Sequence, residues 1–149
     1  MKNNVRVCVN RDSCEKRSHL TLSIMVKNGD DVRQDQMVIQ IIRLMDKLMK
    51  DMNLDLCLSP YAVLAISSSQ GMLEMVQNSK ALSGVKSIRQ FLKENHPDSS
   101  CDLGVKKEVM DTYVKSCAGY AVITYLLGIG DRHLDNVMID VGVCGGSEE

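Results

Sequence analysis

Hydrophobic and polar positions follow two different periods along the first third of the chain. From His19 to Lys27 apolar residues fall at every second position, which predicts a β-strand. The turn residues Asn28-Gly29-Asp30-Asp31 end this strand. From about Val32 to Lys50 apolar residues recur at three-and-four spacing, which predicts a helix capped by Asp30 or Asp31.

The middle of the chain predicts three short strands. Their predicted bounds are Leu54–Ser59, stopped by Pro60, then Tyr61–Ser67 and Met72–Val76. Short strands joined by tight turns favour a small antiparallel sheet.

Two helices and a last strand are predicted beyond the sheet. Ser87 caps a short amphipathic helix that runs to Glu94. A longer helix runs from about Val105 to Leu127 and ends at Gly128 and Gly130. We expect it to be mostly buried, with one stripe formed by Val105, Val109, Tyr113, Val114, Cys117, Ala118, Ala121 and Tyr125. Val137–Ile139 reads as a short strand, which completes an α+β pattern.

Composition narrows the possible partners. The 149 residues hold 18 basic and 19 acidic side chains, so no overall field favours nucleic acid. Charges near the N-terminus interrupt the apolar stretch Val5–Val9, which excludes a signal peptide or membrane span there. We expect a soluble protein that binds no nucleic acid.

The polar loop from Gly130 to Asn136 is the first candidate for chemistry. It places Asp131, Arg132, His133 and Asn136 directly after a buried helix. Phosphoryl transfer needs a proton acceptor and Mg²⁺ ligands held rigidly, because positioning and electrostatics supply most of its catalysis. The alternative is a polar turn in which Asp131 and Asn136 only cap backbone groups, and these residues alone favour that alternative.

A lysine at the end of the first strand is the second candidate. In kinases a strand lysine holds the nucleotide phosphates and is oriented by an acid from the adjacent helix. Lys27 and Asp35 have that arrangement, although Asp30 and Asp31 compete for the acidic role. The alternative is a surface lysine beside a capping acidic cluster.

The two candidates together resemble one family. The segments that carry the resemblance are Lys27-Asn28-Gly29-Asp30-Asp31-Val32-Arg33-Gln34-Asp35-Gln36, Lys115-Ser116-Cys117-Ala118-Gly119-Tyr120 and Gly128-Ile129-Gly130-Asp131-Arg132-His133-Leu134-Asp135-Asn136. In this order they are similar to the phosphatidylinositol 3-/4-kinases, from about Ile24 to Ile139. Asp35-Gln36, Asn53–Leu56 with Ser59-Pro60-Tyr61, Asp111–Lys115 and Leu134-Asp135 resemble the class III, vacuolar protein sorting type of phosphatidylinositol 3-kinase.

The resemblance implies a role for particular residues on the nucleotide side. It implies that Lys27 contacts the ATP phosphates, that Asp35 orients Lys27 and that Tyr61 lies in the nucleotide pocket. Glu74 and Val76 fall where the family's hinge offers backbone groups to adenine.

In the catalytic loop the resemblance implies that Asp131 and His133 activate the inositol hydroxyl. It also implies that Arg132 is mainly structural and that Asn136 binds Mg²⁺ or Mn²⁺.

The same resemblance implies a partial protein-kinase-like bilobal fold and a class III activity. Residues 24–76 would form part of the N-lobe and hinge, and residues 77–139 the start of the C-lobe. Residues 1–23 would be a divergent, poorly ordered lead-in and 140–149 a divergent tail. The expected reaction transfers the ATP γ-phosphate to the 3-hydroxyl of phosphatidylinositol in membranes. The expected partners are a regulatory protein kinase-like subunit and autophagy or endosomal complex subunits, at endosomal and autophagic membranes reached from the cytoplasm.

The sequence departs from the family pattern after the catalytic loop. The family's second metal-binding aspartate, in an Asp-Phe-Gly segment, is not present, and Asp140-Val141-Gly142 follows Asn136 too closely to replace it. Because an amide alone holds Mg²⁺ weakly, we expect the chain by itself to be inactive. The alternative function is a truncated, non-catalytic product that acts as a binding or interfering module.

Overall fold

A computed structural model describes residues 3–9 and 20–140, with side chains described from Ser23 onward. The strands are β1 (Asn3–Val9), β2 (Leu20–Asn28), β3 (Val63–Ala65), β4 (Gln70–Glu74), β5 (Ser79–Ala81) and β6 (Met138–Asp140). The helices are α1 (Arg33–Asp51), α2 (Ile88–Asn95) and α3 (Lys107–Leu126), with a 3₁₀ turn at Leu82–Gly84. Small antiparallel sheets combined with helices confirm the predicted α+β class.

Contacts divide the chain into two compact units. The first unit holds the described residues up to Met45 together with Pro60–Gln77, and the second holds Asp46–Ser59 and the described residues from Asn78 onward. The first contains the sheet β1-β2-β4-β3, in which all pairs are antiparallel. The second contains the β5-β6 pair.

The start of α1 is seated on the sheet of the first unit. Asp31 caps the helix as predicted, because its Oδ1 accepts a hydrogen bond from Arg33 N at 3.1 Å. The next residue, Val32, is only 1% exposed and packs against Gly71 of β4. Gly71 in turn is the cross-strand partner of Lys27 in β2. The contact between Val32 and Gly71 therefore fixes the helix start beside the strand that carries Lys27.

A side chain of α1 also supports the edge strand β3. Gln36 Oε1 accepts a hydrogen bond of 2.6 Å from Ala65 N. Near the end of the first unit's part of α1, Arg43 donates to the carbonyl of Pro60 at 3.3 Å. These bonds satisfy one backbone group of the edge strand β3 and one of the segment that precedes it, which would otherwise lack these side-chain partners.

The core of the second unit is small and aliphatic. Leu92 of α2, Val105, Val109 of α3 and Ile139 of β6 are buried together, and Phe91 packs against them. Ile139 is the link to the candidate site, because it anchors the strand that follows the polar loop.

The predicted stripe on α3 is wrong for most of its members. Val114 and Tyr125 are exposed, as are Cys117, Ala118 and Ala121, while the buried positions of the helix are Val109, Gly119 and Ile123. Apolar residues occur on every side of this helix, so periodicity could not select its buried face. Packing selects it: Leu56 and Leu58 approach so closely that a Cβ on Gly119 would lie 2.8 Å from Leu58 Cδ2.

The predicted strand Leu54–Ser59 is also wrong. Asn53 and Cys57 have φ values of 61° and 51°, which are incompatible with an extended strand. Asp55 Oδ1 accepts from Cys57 N at 2.9 Å, so the segment forms a local turn that replaces ladder hydrogen bonds.

The remaining elements differ from prediction in smaller ways. The strands predicted at Tyr61–Ser67 and Met72–Val76 are present as β3 and β4 with shifted bounds, and β5 was not predicted. Within the expected irregular lead-in, residues 3–9 form β1, which pairs with β2 and so has its backbone hydrogen bonds supplied. Residues 1–2, 10–19 and the tail 141–149 lie outside the described part. No helix among the described residues is long and apolar enough to cross a membrane.

Candidate active site

The polar loop begins at a tightly defined helix end. Ile129 N donates to Thr124 O at 2.9 Å and Gly128 N donates to Tyr125 O at 3.3 Å, which is the Schellman pattern of hydrogen bonds. Gly128 has a φ of 61°, as this motif requires. The backbone therefore leaves α3 in a fixed direction.

The other end of the loop is attached to the β5 region. Leu82 N donates to Val137 O and Ser83 N donates to Leu134 O, both at 3.0 Å. The following strand, β6, pairs with β5 and buries Ile139. Both ends of the loop are thus fixed to the second unit, which confirms that the loop lies between a helix and a strand.

Asp131 and Asn136 are joined across the loop. Asp131 has a φ of 54°, a left-handed conformation that is uncommon for residues other than glycine. Asn136 Nδ2 donates to the carbonyl of Asp131 at 2.7 Å and approaches its Oδ2 at 3.4 Å. This contact holds the backbone of Asp131 in its unusual conformation.

His133 lies between two carboxylates. Its Nε2 is 3.8 Å from Asp131 Oδ1, and its Nδ1 is 3.7 Å from Asp135 Oδ2. Nδ1 also accepts a hydrogen bond of 3.2 Å from Asp135 N. The Asp131 and His133 side chains are 83% and 54% exposed, so both can reach a bound substrate.

Arg132 is turned back onto the loop. Its Nε donates to the carbonyl of Gly130 at 3.1 Å. This bond supports the loop backbone, in keeping with a structural role.

On the first unit, Lys27 pairs with an acid other than the one implied by the resemblance. Lys27 Nζ lies 3.3 Å from Asp30 Oδ2, and the lysine side chain is 35% exposed. Asp35 lies in the first turn of α1 and is exposed. The geometry of this unit therefore favours Asp30, one of the two competing acids, as the contact of Lys27.

Asp31, the third acid of this cluster, pairs with Arg33 and not with Lys27. Arg33 Nη2 donates to Asp31 Oδ2 at 2.7 Å and Arg33 Nε to Asp31 Oδ1 at 2.9 Å. Hydrogen bonds from the Arg33 side chain and backbone lower the pKa of Asp31 to about 2. Asp31 is consequently an anchored cap of α1 and has no proton to exchange near neutral pH.

The residues expected around adenine are grouped at one end of the first sheet. Glu74 ends β4, and its Oε2 accepts a 2.8 Å hydrogen bond from Ala62 N, while Glu74 N donates to Ala62 O at 2.8 Å. These two bonds fix the segment next to Tyr61, which is half-buried. Met75 N donates to Ser23 O at 2.9 Å, and Val76 is the next residue along the chain.

The loop offers an amide oxygen of the kind that can bind Mg²⁺ together with substrate phosphates. Because Asn136 Nδ2 donates to the carbonyl of Asp131, the amide oxygen Oδ1 takes no part in this bond. Mg²⁺ commonly binds through one or two protein oxygens together with substrate phosphates. Among the described residues no cluster of three His, Cys, Asp or Glu side chains could hold a metal by itself.

Sequence reasoning missed several residues that build this geometry. Three residues were given no role in it: Asp135, which acts through its main-chain N–H, Gln36 and Gly71. Asp135 and Gln36 lie in segments that carry the resemblance, and Gly71 contacts Val32 of one of these segments. The sequence placed Gly71 directly before the predicted strand Met72–Val76, whereas β4 begins at Gln70 and so contains this glycine. A glycine inside a strand commonly marks a close approach of another part of the chain.

Comparison with known families identifies the class of protein. The chain matches the family described as phosphatidylinositol 3- and 4-kinase over residues 21–87 and 82–144, a few residues beyond each end of the resemblance. The chain belongs to this family.

Individual relatives narrow this to one branch. The chain is 51% identical over 119 residues to phosphatidylinositol 3-kinase VPS34 of Arabidopsis thaliana, a match that covers 78% of this chain and 15% of that protein. It is 50% identical over 119 residues to phosphatidylinositol 3-kinase VPS34 of Saccharomyces cerevisiae, with 78% of this chain and 14% of that protein covered. The nodule isoform of Glycine max phosphatidylinositol 3-kinase is 50% identical over 122 residues, with coverages of 80% and 15%. The similarity to class III enzymes is confirmed, and the chain spans about a seventh of the length of these relatives.

Proposed function

We propose that this chain carries nucleotide-binding and catalytic-loop segments of a class III phosphatidylinositol 3-kinase. The reaction transfers the γ-phosphate of ATP to the 3-hydroxyl of phosphatidylinositol. The observation that carries the proposal is the loop Asp131–Asn136, which is fixed at both ends and joins an acid, an imidazole and an amide. The names of the relatives, all phosphatidylinositol 3-kinases, support the same reaction.

The roles of the loop residues follow from what each group can do. Asp131 and His133 activate the 3-hydroxyl, because both are exposed and their functional atoms lie 3.8 Å apart. Arg132 supports the backbone. Asn136 contributes Oδ1 to Mg²⁺ or Mn²⁺, and the metal, when bound, would neutralise charge on the phosphates.

The first unit supplies the groups for the nucleotide. Lys27 contacts the phosphates, where a point charge on a strand end suits an anionic ligand. Asp35 orients Lys27 in the active arrangement, in exchange for the Asp30 contact seen in this structure. Tyr61, with backbone groups of Glu74 and Val76, receives adenine.

The organisation and cellular setting are also proposed from the resemblance. Residues 24–76 correspond to part of the N-lobe and hinge, and residues 77–139 to the start of the C-lobe. A regulatory protein kinase-like subunit and other subunits of autophagy or endosomal complexes are the proposed partners. Peripheral attachment to endosomal and autophagic membranes is the proposed location.

A chimera tests the proposal in a complete enzyme. Residues 24–139 replace the matching segment of the Saccharomyces cerevisiae relative, and phosphatidylinositol 3-phosphate is measured with phosphatidylinositol vesicles, ATP and Mg²⁺. We expect activity, and we expect Asp131→Asn to lower the rate roughly 10²–10⁴-fold, the usual contribution of a general base.

The matched control is Asp102→Asn, which removes a carboxylate from an exposed position outside the loop and should leave the rate unchanged. A folded chimera without activity would contradict the proposal and favour the non-catalytic alternative. Full activity of Asp131→Asn would contradict the role of that residue.

A further inference from the structure

The hydrogen bond at Nδ1 defines the tautomer of His133. Asp135 N donates to Nδ1 at 3.2 Å. A ring nitrogen that accepts a hydrogen bond carries a lone pair, so the proton of a neutral imidazole is on the other nitrogen. Nε2–H is therefore the form compatible with this loop, and Nε2 is the atom on the side of Asp131.

The turn that follows His133 holds this donor in place. Asn136 N and Val137 N both donate to the carbonyl of His133, at 2.9 and 3.2 Å. The carbonyl of Leu134 is fixed in turn by Ser83 N at 3.0 Å. Asp135 N thus lies in a closed turn whose geometry does not depend on the Asp135 side chain.

We propose that the main-chain N–H of Asp135 is a positioning group that keeps His133 in the Nε2–H tautomer, so that His133 acts as a hydrogen-bond donor and Asp131 receives the substrate proton. The inference rests on the proposed function for its chemical meaning. For His133 to accept the proton at Nε2, the ring would need its own proton at Nδ1, where it would face the N–H of Asp135. That arrangement loses the hydrogen bond and opposes two donors.

The proposed reaction transfers one phosphoryl group to the substrate hydroxyl and one proton to Asp131. As the hydroxyl oxygen bonds to the γ-phosphorus, the bond from that phosphorus to its bridging oxygen breaks and ADP leaves with the electron pair. The hydroxyl proton passes to the carboxylate of Asp131. His133 keeps its Nε2 proton throughout and offers it to the oxygens that gain charge near Asp131.

The carboxylate of Asp135 is a weaker candidate for the same role. Its Oδ2 is 3.7 Å from Nδ1, outside hydrogen-bonding distance, and it could bond to the ring only if Nδ1 carried a proton. The main-chain assignment therefore predicts that the side chain of Asp135 can be removed without changing the tautomer.

Nitrogen NMR of the 149-residue chain labelled with ¹⁵N-histidine tests the tautomer directly. Spectra are taken at about pH 8, where an unperturbed imidazole is neutral. His133→Gln assigns the His133 resonances, and His19 and His96 serve as internal references. We expect Nε2 to carry the proton in the parent chain and in Asp135→Ala, and a shift toward a mixture in Asp135→Pro, which lacks the N–H.

Two spectroscopic outcomes would overturn the proposal. One is a proton on Nδ1 of His133 in the parent chain. The other is an altered tautomer in Asp135→Ala while the His96 resonances are unchanged, because that result would assign the effect to the carboxylate. Asp135→Ala retains the main chain, so the test does not depend on whether the proline variant folds.

The chimera described above tests the donor role separately. The amide nitrogen of Gln can reach the position of imidazole Nε2, whereas that of Asn reaches only the position of Nδ1. We expect His133→Gln to retain activity within about 10-fold of the parent and His133→Asn to lose about 10²-fold. Equal losses of activity in both variants would contradict the donor role of His133. An inactive parent chimera would contradict the proposed function, and the tautomer would then be tested by the NMR experiment alone.

Discussion

Substitution of Gly71 by Ala should destabilise the first unit by displacing the start of α1. An added Cβ would overlap Val32 Cγ2 and lie 3.1 Å from the carbonyl oxygen of Leu64. Neither neighbour can move easily, because Val32 is β-branched and 1% exposed and the second atom belongs to the backbone of β3. Gly71 is also the cross-strand partner of Lys27, so the strain falls beside a proposed phosphate contact.

The expected magnitude is the difference of two effects. Overpacking of a filled interior costs roughly 1–3 kcal/mol. Replacing glycine by alanine restricts the unfolded chain and returns about 0.4–1 kcal/mol. We expect an overpacking cost in the upper part of its range, because neither neighbour can move easily. Less the gain from the unfolded chain, the net loss of stability is about 2 kcal/mol, which corresponds to a fall of about 4–8 °C in Tm for a chain of this size.

Urea unfolding of the 149-residue chain measures the effect, and a second substitution tests its cause. Val32→Ala removes the overlapping methyl group and alone should cost about 2 kcal/mol through lost burial. In the double variant the cost of Gly71→Ala should largely disappear, so the two changes should fall short of additivity by about 1–2 kcal/mol.

Gly130→Ala is the control, because a Cβ at Gly130 has no neighbour within 4 Å. It should be neutral or slightly stabilising. Additive losses in the double variant, or a Gly71→Ala chain as stable as the control, would refute the steric argument.

Three further predictions concern helix ends and charge. Asp31 should titrate with a pKa of about 2 in the folded chain, by carbon NMR. Because this pKa is below the ordinary value near 3.9, the stabilisation of the folded chain by Asp31 is present above about pH 4 and is lost as pH falls toward 2. Arg33→Gln should raise the pKa of Asp31. An unchanged pKa in this variant would exclude Arg33 as the cause. Ser87→Ala should cost about 1 kcal/mol in urea unfolding, because Ser87 Oγ accepts from Gln90 N at the start of α2; Ser87→Asp should retain most of the stability, and a neutral alanine variant would exclude a capping role. Gly128→Ala should cost roughly 1–2 kcal/mol because of its left-handed conformation, and Gly128→Asn should cost less; equal effects of the two would argue against the Schellman end of α3.

Much of the element order could be predicted from local pattern alone. The alternation around β2, the three-and-four spacing of α1 and the Ser87 cap of α2 each point to one structure, because the local signal and the global fold agree there. The segment Leu54–Ser59 failed because its apolar residues resemble a strand, while Asn53 and Cys57 adopt left-handed conformations that the pattern does not reveal.

The candidate site was predictable to the level of which residues belong to the loop. Asp131, His133 and Asn136 lie within six consecutive positions, so chain connectivity alone brings them together. Their orientations were not predictable. The φ of Asp131, the bond from Asn136 Nδ2 and the hydrogen bond from Asp135 N depend on how Gly128 ends α3 and how β6 pairs with β5.

The sequence by itself determined the family, the order of the elements and the identity of the polar groups, because these depend on residue types at fixed separations. The tertiary structure decided which face of α3 is buried. Apolar side chains occur on all faces of this helix, and the face is selected by the packing of Val109 in the core and by the close approach of Leu56 and Leu58 to Gly119. It also decided which acid contacts Lys27. Three aspartates lie within reach along the chain, but Arg33 occupies Asp31, Asp35 is exposed on the helix, and the turn at Gly29 brings Asp30 to 3.3 Å from the lysine. Such choices depend on competition among neighbours in space, which residue spacing does not encode.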